Sequence, residues 1–184
     1  MKSIDNILVN KLKEGDRRAQ HELYDRYAGT LMAIAMRYLG ERSVAEDMLH
    51  DAFIKIFSSI KKFNYRGEGS LKAWMCRIMI NISLEYLRHN RNRSLSIDTI
   101  DERMELQDEA AKEVERVPQD VLLMFIAELP EGYRTVFNLF CIEGYSHREI
   151  AKELKINEKS SSSQLLRAKR LLAEKIKSYT KLHE

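Results

Sequence analysis

Glycine and proline are scarce, at 7 and 2 of 184 residues. So few breakers, in a chain dominated by helix formers, point to an all-helical fold. Cysteine is rarer still. Cys76 and Cys141 each stand in an apolar helical pattern with no metal-like companion, so two buried, reduced thiols are expected and not a disulfide or a zinc site. The histidines at 21, 50, 89, 147 and 183 include no pair one helical turn apart, so no metal and no cofactor is implied. Long apolar runs are missing too. VLLMFIA, Val121 to Ala127, falls far short of the ~20 residues of a membrane span. The N-terminus MKSIDNILVNKLKEGD has no signal-peptide core, so a cytoplasmic protein without membrane insertion is expected. No phosphate-cradling glycine loop, nucleophile–base pair or paired carboxylates stand out, so no catalytic residue is named.

What is abundant is helix-forming sequence, 44% hydrophobic and 32% charged, as in a foldable soluble chain. The net charge of +3 is small, but its distribution is uneven. Residues 94–118 hold eight acidic side chains against three basic ones, whereas 147–181 hold ten basic against four acidic. An acidic stretch of poor apolar content between two well-patterned regions reads as an interdomain linker. The expected architecture is therefore all-α: a domain at 1–93, an acidic linker at 94–118 and a second domain at 119–184.

Four helical segments precede the linker. In Ala19 to Leu39 the apolar Leu23, Tyr27, Leu31, Ile34 and Tyr38 recur at steps of three and four, and Gly40 ends the helix. The next starts at Ser43, with Glu46 completing a capping box. Its apolar face is broad, from Ala45, Leu49, Phe53 and Ile56 to Val44, Met48, Ile54 and Ile60, which suggests two neighbours, one of them another protein. Beside it lie Glu46, Asp47 and Asp51, the last beyond the first turn that a helix dipole would favour. Lys61 to Gly69 is predicted as a loop broken by Gly67 and Gly69, with Ser70 capping the next helix. Loop and helix interleave Phe63, Tyr65, Trp74 and Tyr86 with Lys61, Lys62, Arg66, Lys72, Arg77 and Arg88. Rings among cations suit single-stranded nucleic acid, whose unstacked bases lie on aromatic faces. Packing is the competing role for Phe63 and Tyr65, and for Trp74, which is in phase with Leu71, Met75, Ile78 and Ile82.

Beyond the linker, a short apolar helix stops before Pro130, which fits the first position of the next. There Tyr133, Val136, Phe137, Phe140 and Cys141 trace one stripe, and Gly144 closes the helix. Ser146 and Glu149 make a capping box for HREIAKEL, buried through Ile150, Ala151 and Leu154. The stretch NEKSSSSQLLRAKR, Asn157 to Arg170, could be taken for a linker. But Ser161, Leu165, Ala168 and Leu172 fall at helical spacing, and Asn157 is a suitable N-cap. The serines thus open a helix, Ser161 inward and Ser160, Ser162 and Ser163 outward. Two helices joined by a three-residue turn form a helix-turn-helix, whose second helix enters the major groove by its first turns. The bordering cations Lys159, Arg167, Lys169 and Arg170 fit that role.

Three stretches carry a resemblance to a known family: AEDMLHDAFIKIF, GSLKAWMCRIMINISLEYLR and LPEGYRTVFNLFCIEGYSHREIAKELKINEKSSSSQLLRAKRLL. In this order, across an acidic linker, they resemble the polymerase-binding helix, the promoter-melting helix and the helix-turn-helix domain of bacterial RNA polymerase sigma factors of the extracytoplasmic-function (ECF) type. The resemblance covers about Leu12 to Ile176. It implies a factor, not an enzyme, that directs RNA polymerase core to specific promoters and aids their opening. It implies polymerase docking through Asp47, His50, Asp51, Phe53 and Ile54, with His50 where the family usually has glutamine. Capture of the melted strand would fall to Lys62, Phe63, Tyr65, Arg66, Lys72, Trp74, Arg77 and Asn81, the last matching a residue associated with a flipped-out base. Duplex contact would fall to Arg148, Lys159, Ser160, Ser162, Ser163, Arg167 and Arg170. Lys155 and Lys159 replace common glycines, Ser161 a usual apolar residue and Ser162 a usual lysine. An anti-sigma factor is the further partner implied.

Overall fold

A computed structural model describes residues 4–90 and 114–183. The chain forms two compact units that divide after Asn90, and among the described residues every regular element is helical.

The first unit contains α1 (Ile4–Lys13), α2 (Arg17–Leu39), α3 (Arg42–Ser59) and α4 (Ser70–Asn90). Asp16 starts α2, its carboxylate accepting from the backbone N–H groups of Arg18 and Ala19 at 2.7 and 3.3 Å, so two otherwise unmet donors are satisfied. Gly40 ends it at φ 74°, donating to the Met36 carbonyl. Helix α2 packs against α1, α3 and α4 around Leu23, Leu31, Tyr38, Ile56, Leu71, Met75 and Met79, all fully buried. The start of α3 differs from expectation. The helix begins at Arg42 with Glu41 as its cap residue, and no side chain caps it. Ser43 therefore lies inside the first turn; its hydroxyl donates to the Glu41 carboxylate at 2.8 Å, while Glu46 pairs with Arg42 at 2.8 Å. The predicted capping box is absent.

The second unit holds α5 (Gln119–Ala127), α6 (Glu131–Phe137), a π turn at Asn138–Ile142, α7 (His147–Leu154) and α8 (Glu158–His183). Its core joins Val117, Phe125, Ile126 and Leu129 to Ala168, Leu172 and Ile176 of α8. Val117 thus belongs to a folded core, not to a linker; residues 94–113 of the expected linker lie outside the described residues. Pro130 sits one place earlier than expected, as the cap residue of α6. Arg134 is buried and donates to the carbonyls of Ala127 and Leu129 at 2.6 and 3.2 Å, closing the C-terminal end of α5. Helices α6 and α8 come close at Gly132, where a Cβ would stand 2.9 Å from Gln164 Oε1.

The π turn changes the predicted stripe. The Glu143 N–H donates to the Asn138 carbonyl, five residues back, at 3.0 Å. That widened turn shifts the helical phase of its own residues, so Asn138 and Leu139 are buried while Cys141 is exposed. Cys76 is half-buried. Neither thiol has the full burial expected of it.

Candidate nucleic-acid and polymerase interfaces

On α3, Asp47, His50, Asp51 and Ile54 are exposed and fall at i, i+3, i+4 and i+7, one stripe of the helix. Ile54 is 55% exposed. Phe53 corrects the expectation. It is only 4% exposed, held between Tyr24 at 4.6 Å and Phe57 at 5.8 Å between ring centroids. It belongs to the core beneath the stripe and has little surface to offer a partner.

The loop between α3 and α4 leaves through a short 3-10 turn, Ile60–Lys62, that packs against α1. Phe63 corrects the expectation in the same way: it is 7% exposed and packs on Trp74, with ring centroids 4.7 Å apart and planes tilted by 33°. That contact anchors the loop to α4 and removes Phe63 from any base-stacking surface. Tyr65 and Trp74 are half-buried, whereas Lys62, Arg66, Lys72, Arg77 and Asn81 are exposed. Arg77 and Asn81 lie one turn apart on the outer face of α4. Gly67 and Gly69 adopt φ values of 117° and 79°, which favour glycine. Ser70 opens α4 but does not cap it by its side chain as expected. Its hydroxyl donates to the Gly67 carbonyl at 2.6 Å and accepts from the Arg66 N–H at 3.2 Å, closing the loop on itself.

In the second unit α7, a three-residue turn and α8 form the helix-turn-helix. The capping box at Ser146 and Glu149 is complete, and the two bonds from Ser146 hold the Glu149 carboxyl below its ordinary value. Asn157 caps α8, accepting from the Ser160 N–H at 2.6 Å. Ser161 is fully buried; Lys159, Ser162 and Arg170 are exposed, Ser160 and Ser163 half-buried. The Ser163 hydroxyl turns back to the Ser160 carbonyl at 3.2 Å. Arg148 is exposed at the start of α7. Arg167 lies over the Tyr133 ring, 6.0 Å from its centroid, and donates to the phenol oxygen at 3.4 Å. Arg170 pairs with Glu174 at 3.2 Å on the surface, a contact weak enough for a phosphate to displace. Tyr133, steadying Arg167, and His147, 2.9 Å from the Ser161 hydroxyl, escaped sequence reasoning, because both act across 14 residues or more of chain.

Among the described residues no helix is long and apolar enough to cross a membrane, and no group of His, Cys, Asp and Glu is placed to hold a metal ion. An all-helical chain with a cationic loop in one unit and a helix-turn-helix in the other is the architecture of a DNA-binding transcription factor. Comparison with known proteins makes that class specific. The Sigma-70 region 2 family matches residues 23–93 and the Sigma-70 region 4 family matches residues 119–172, together more than half of the chain. An ECF RNA polymerase sigma-E factor of Haemophilus influenzae is 28% identical over 94% of this chain and 95% of that one. An RNA polymerase sigma-H factor of Pseudomonas aeruginosa is 28% identical over 90% of each. Among solved structures, CnrH in complex with the cytosolic domain of CnrY is similar, with 23% identity, a TM-score of 0.47, and coverage of 94% of this chain and 96% of that one. The chain belongs to the sigma-70 family, in its ECF group: it is a sigma factor that directs RNA polymerase core to specific promoters and aids their opening.

Proposed function

We propose that three surfaces divide the work of initiation. The α3 stripe of Asp47, His50, Asp51 and Ile54 docks on the polymerase core, with Phe53 supporting it from below. The loop and outer face of α4 hold the melted strand: Tyr65 and Trp74 offer ring faces, Lys62, Arg66, Lys72 and Arg77 meet phosphates, and Asn81 meets a displaced base. Helix α8 enters the major groove by its first turns, with Ser160, Ser162 and Ser163 near the groove floor and Arg148, Lys159, Arg167 and Arg170 toward the phosphate backbone. The domains are 1–93 and a second ending at 184, joined by the acidic stretch from 94.

The observation that supports this most is the start of α8. A helix capped by Asn157 after a three-residue turn seals Ser161 inward and leaves Lys159 and Ser162 exposed, as groove insertion requires. The energetics combine additive weak parts. Phosphate contacts give a salt-dependent hold on the duplex, and contacts to the opened strand offset an unstacking cost of a few kcal/mol. Polymerase binding fixes the separation of the domains, so their affinities combine. Catalysis stays with the polymerase, and an anti-sigma factor controls access to the docking surfaces.

The test is transcription by purified core polymerase on a promoter library, with and without this protein. New starts at a defined set of promoters are expected; an unchanged set of starts refutes the proposal. Tyr65→Ala is expected to reduce opening by about tenfold, the scale of one lost base–aromatic stack, while leaving core binding within about twofold, a separation made possible by the distinct surfaces.

A further inference from the structure

One contact in the second unit has no part in the surfaces above. His147 Nδ1 and Ser161 Oγ lie 2.9 Å apart, joining the first residue of α7 to the first turn of α8. The His147 ring is stacked on Phe140, with centroids 4.5 Å apart and planes 23° from parallel, and Phe140 belongs to the π turn. Three elements therefore meet on one imidazole. Ser161 is 0% exposed and faces inward, where α8 docks on α7.

The chemistry of that inward position matters. An apolar side chain there would pack by burial, which has no preferred direction. A hydroxyl–imidazole bond has a required length and angle, and a buried hydroxyl deprived of its partner is destabilising. Buried Ser83 illustrates the alternative: its hydroxyl donates to the Met79 carbonyl of its own helix at 2.9 Å. Ser161 reaches across to the neighbouring helix. Its hydroxyl can donate to a bare Nδ1 or accept from an Nδ1–H, according to the tautomer.

We propose that the His147–Ser161 bond, braced by Phe140, positions the recognition helix and thereby sets base selectivity at the upstream promoter element. The proposal rests on the reading of α8 as the duplex-contacting helix. Each residue turns the helix by about 100°, which leaves Ser160 and Ser163 about 60° apart, so a roll of α8 by about 30° changes which of them points more directly at the groove floor. Such a roll leaves the flexible Lys159 and Arg170 side chains able to find phosphates. Selectivity is thus more sensitive to this bond than overall affinity is.

The experiment uses the full chain bound to polymerase core and a promoter library randomised only at the upstream element. Ser161→Ala removes the hydroxyl; His147→Phe keeps an aromatic ring against Phe140 and removes the nitrogen. Each is expected to lower the preference for the best upstream sequence over its one-base variants by about tenfold, the scale of one mismatched base pair. The dependence of binding on salt concentration should match wild type, and the double variant should be no less selective than either single one. Wild-type selectivity in either single variant, or losses that multiply in the double, would overturn the proposal; selections run well below the lowest melting temperature exclude simple unfolding. A wild-type protein with no upstream preference would instead refute the assignment of α8, and this proposal with it.

Discussion

Lys155 ends α7 at φ 54° and ψ 45°, the one described non-glycine residue with a positive φ. The left-handed conformation strains a side-chain-bearing residue by roughly 1–2 kcal/mol, while glycine loses about 0.5–1 kcal/mol through the greater freedom of its unfolded chain. Lys155→Gly should therefore stabilise the second unit by about 0.5–1 kcal/mol net, measurable by thermal or urea unfolding of the full chain. Glu149 gives a pH-dependent counterpart. Its carboxyl is held below the ordinary 4.5 by hydrogen bonds from the Ser146 hydroxyl and backbone. A depressed folded-state pKa contributes stability that is present above the unfolded value and lost as pH falls through the folded one. Glu149→Gln should flatten the acid limb of the stability profile below about pH 4.5, where the wild-type unit weakens.

At the scale of elements, α3 presents two faces with different consequences for mutation. Phe53→Ala opens a cavity among three packed rings and should lower stability by about 3 kcal/mol or more. Ile54→Lys, one residue on, changes an exposed side chain and should leave the melting temperature nearly unchanged while weakening core-polymerase binding by about tenfold, the loss of one interface anchor. Measuring unfolding and core affinity on the two variants separates the faces; a stability loss in Ile54→Lys equal to that of Phe53→Ala would refute the division. The α3–α4 loop has a comparable construction. Phe63→Ala detaches the loop from Trp74 and should destabilise the first unit, whereas Tyr65→Ala should reduce opening, read by reactivity of unpaired thymines.

At the scale of the molecule, each unit has its own buried core, and cationic side chains are spread over surfaces of both. Binding to duplex should weaken steeply with salt, and removing Lys159 or Arg170 should each lower the slope of log affinity against log salt by about one. A base-reading residue would change the sequence preferred and leave that slope intact.

Much of the fold was legible in the residue order. Helical spacing, Gly40, the Ser146–Glu149 box and the Asn157 cap are local signals, set by backbone stereochemistry within a turn or two, and they located most of the helices and the helix-turn-helix. Motif order likewise carried the family. Phe53 and Phe63 were misassigned because an aromatic residue on a broad apolar face has the same spacing whether it packs inward or meets a partner. Ser43, two residues too deep to cap α3, and Cys141, displaced by a π turn, show local rules yielding to packing. The sequence by itself determined which segments are helices and which chemistry they carry. Only the tertiary structure decided which rings are covered and which serine reaches across to His147, because burial and hydrogen bonding between helices depend on neighbours brought together from distant parts of the chain.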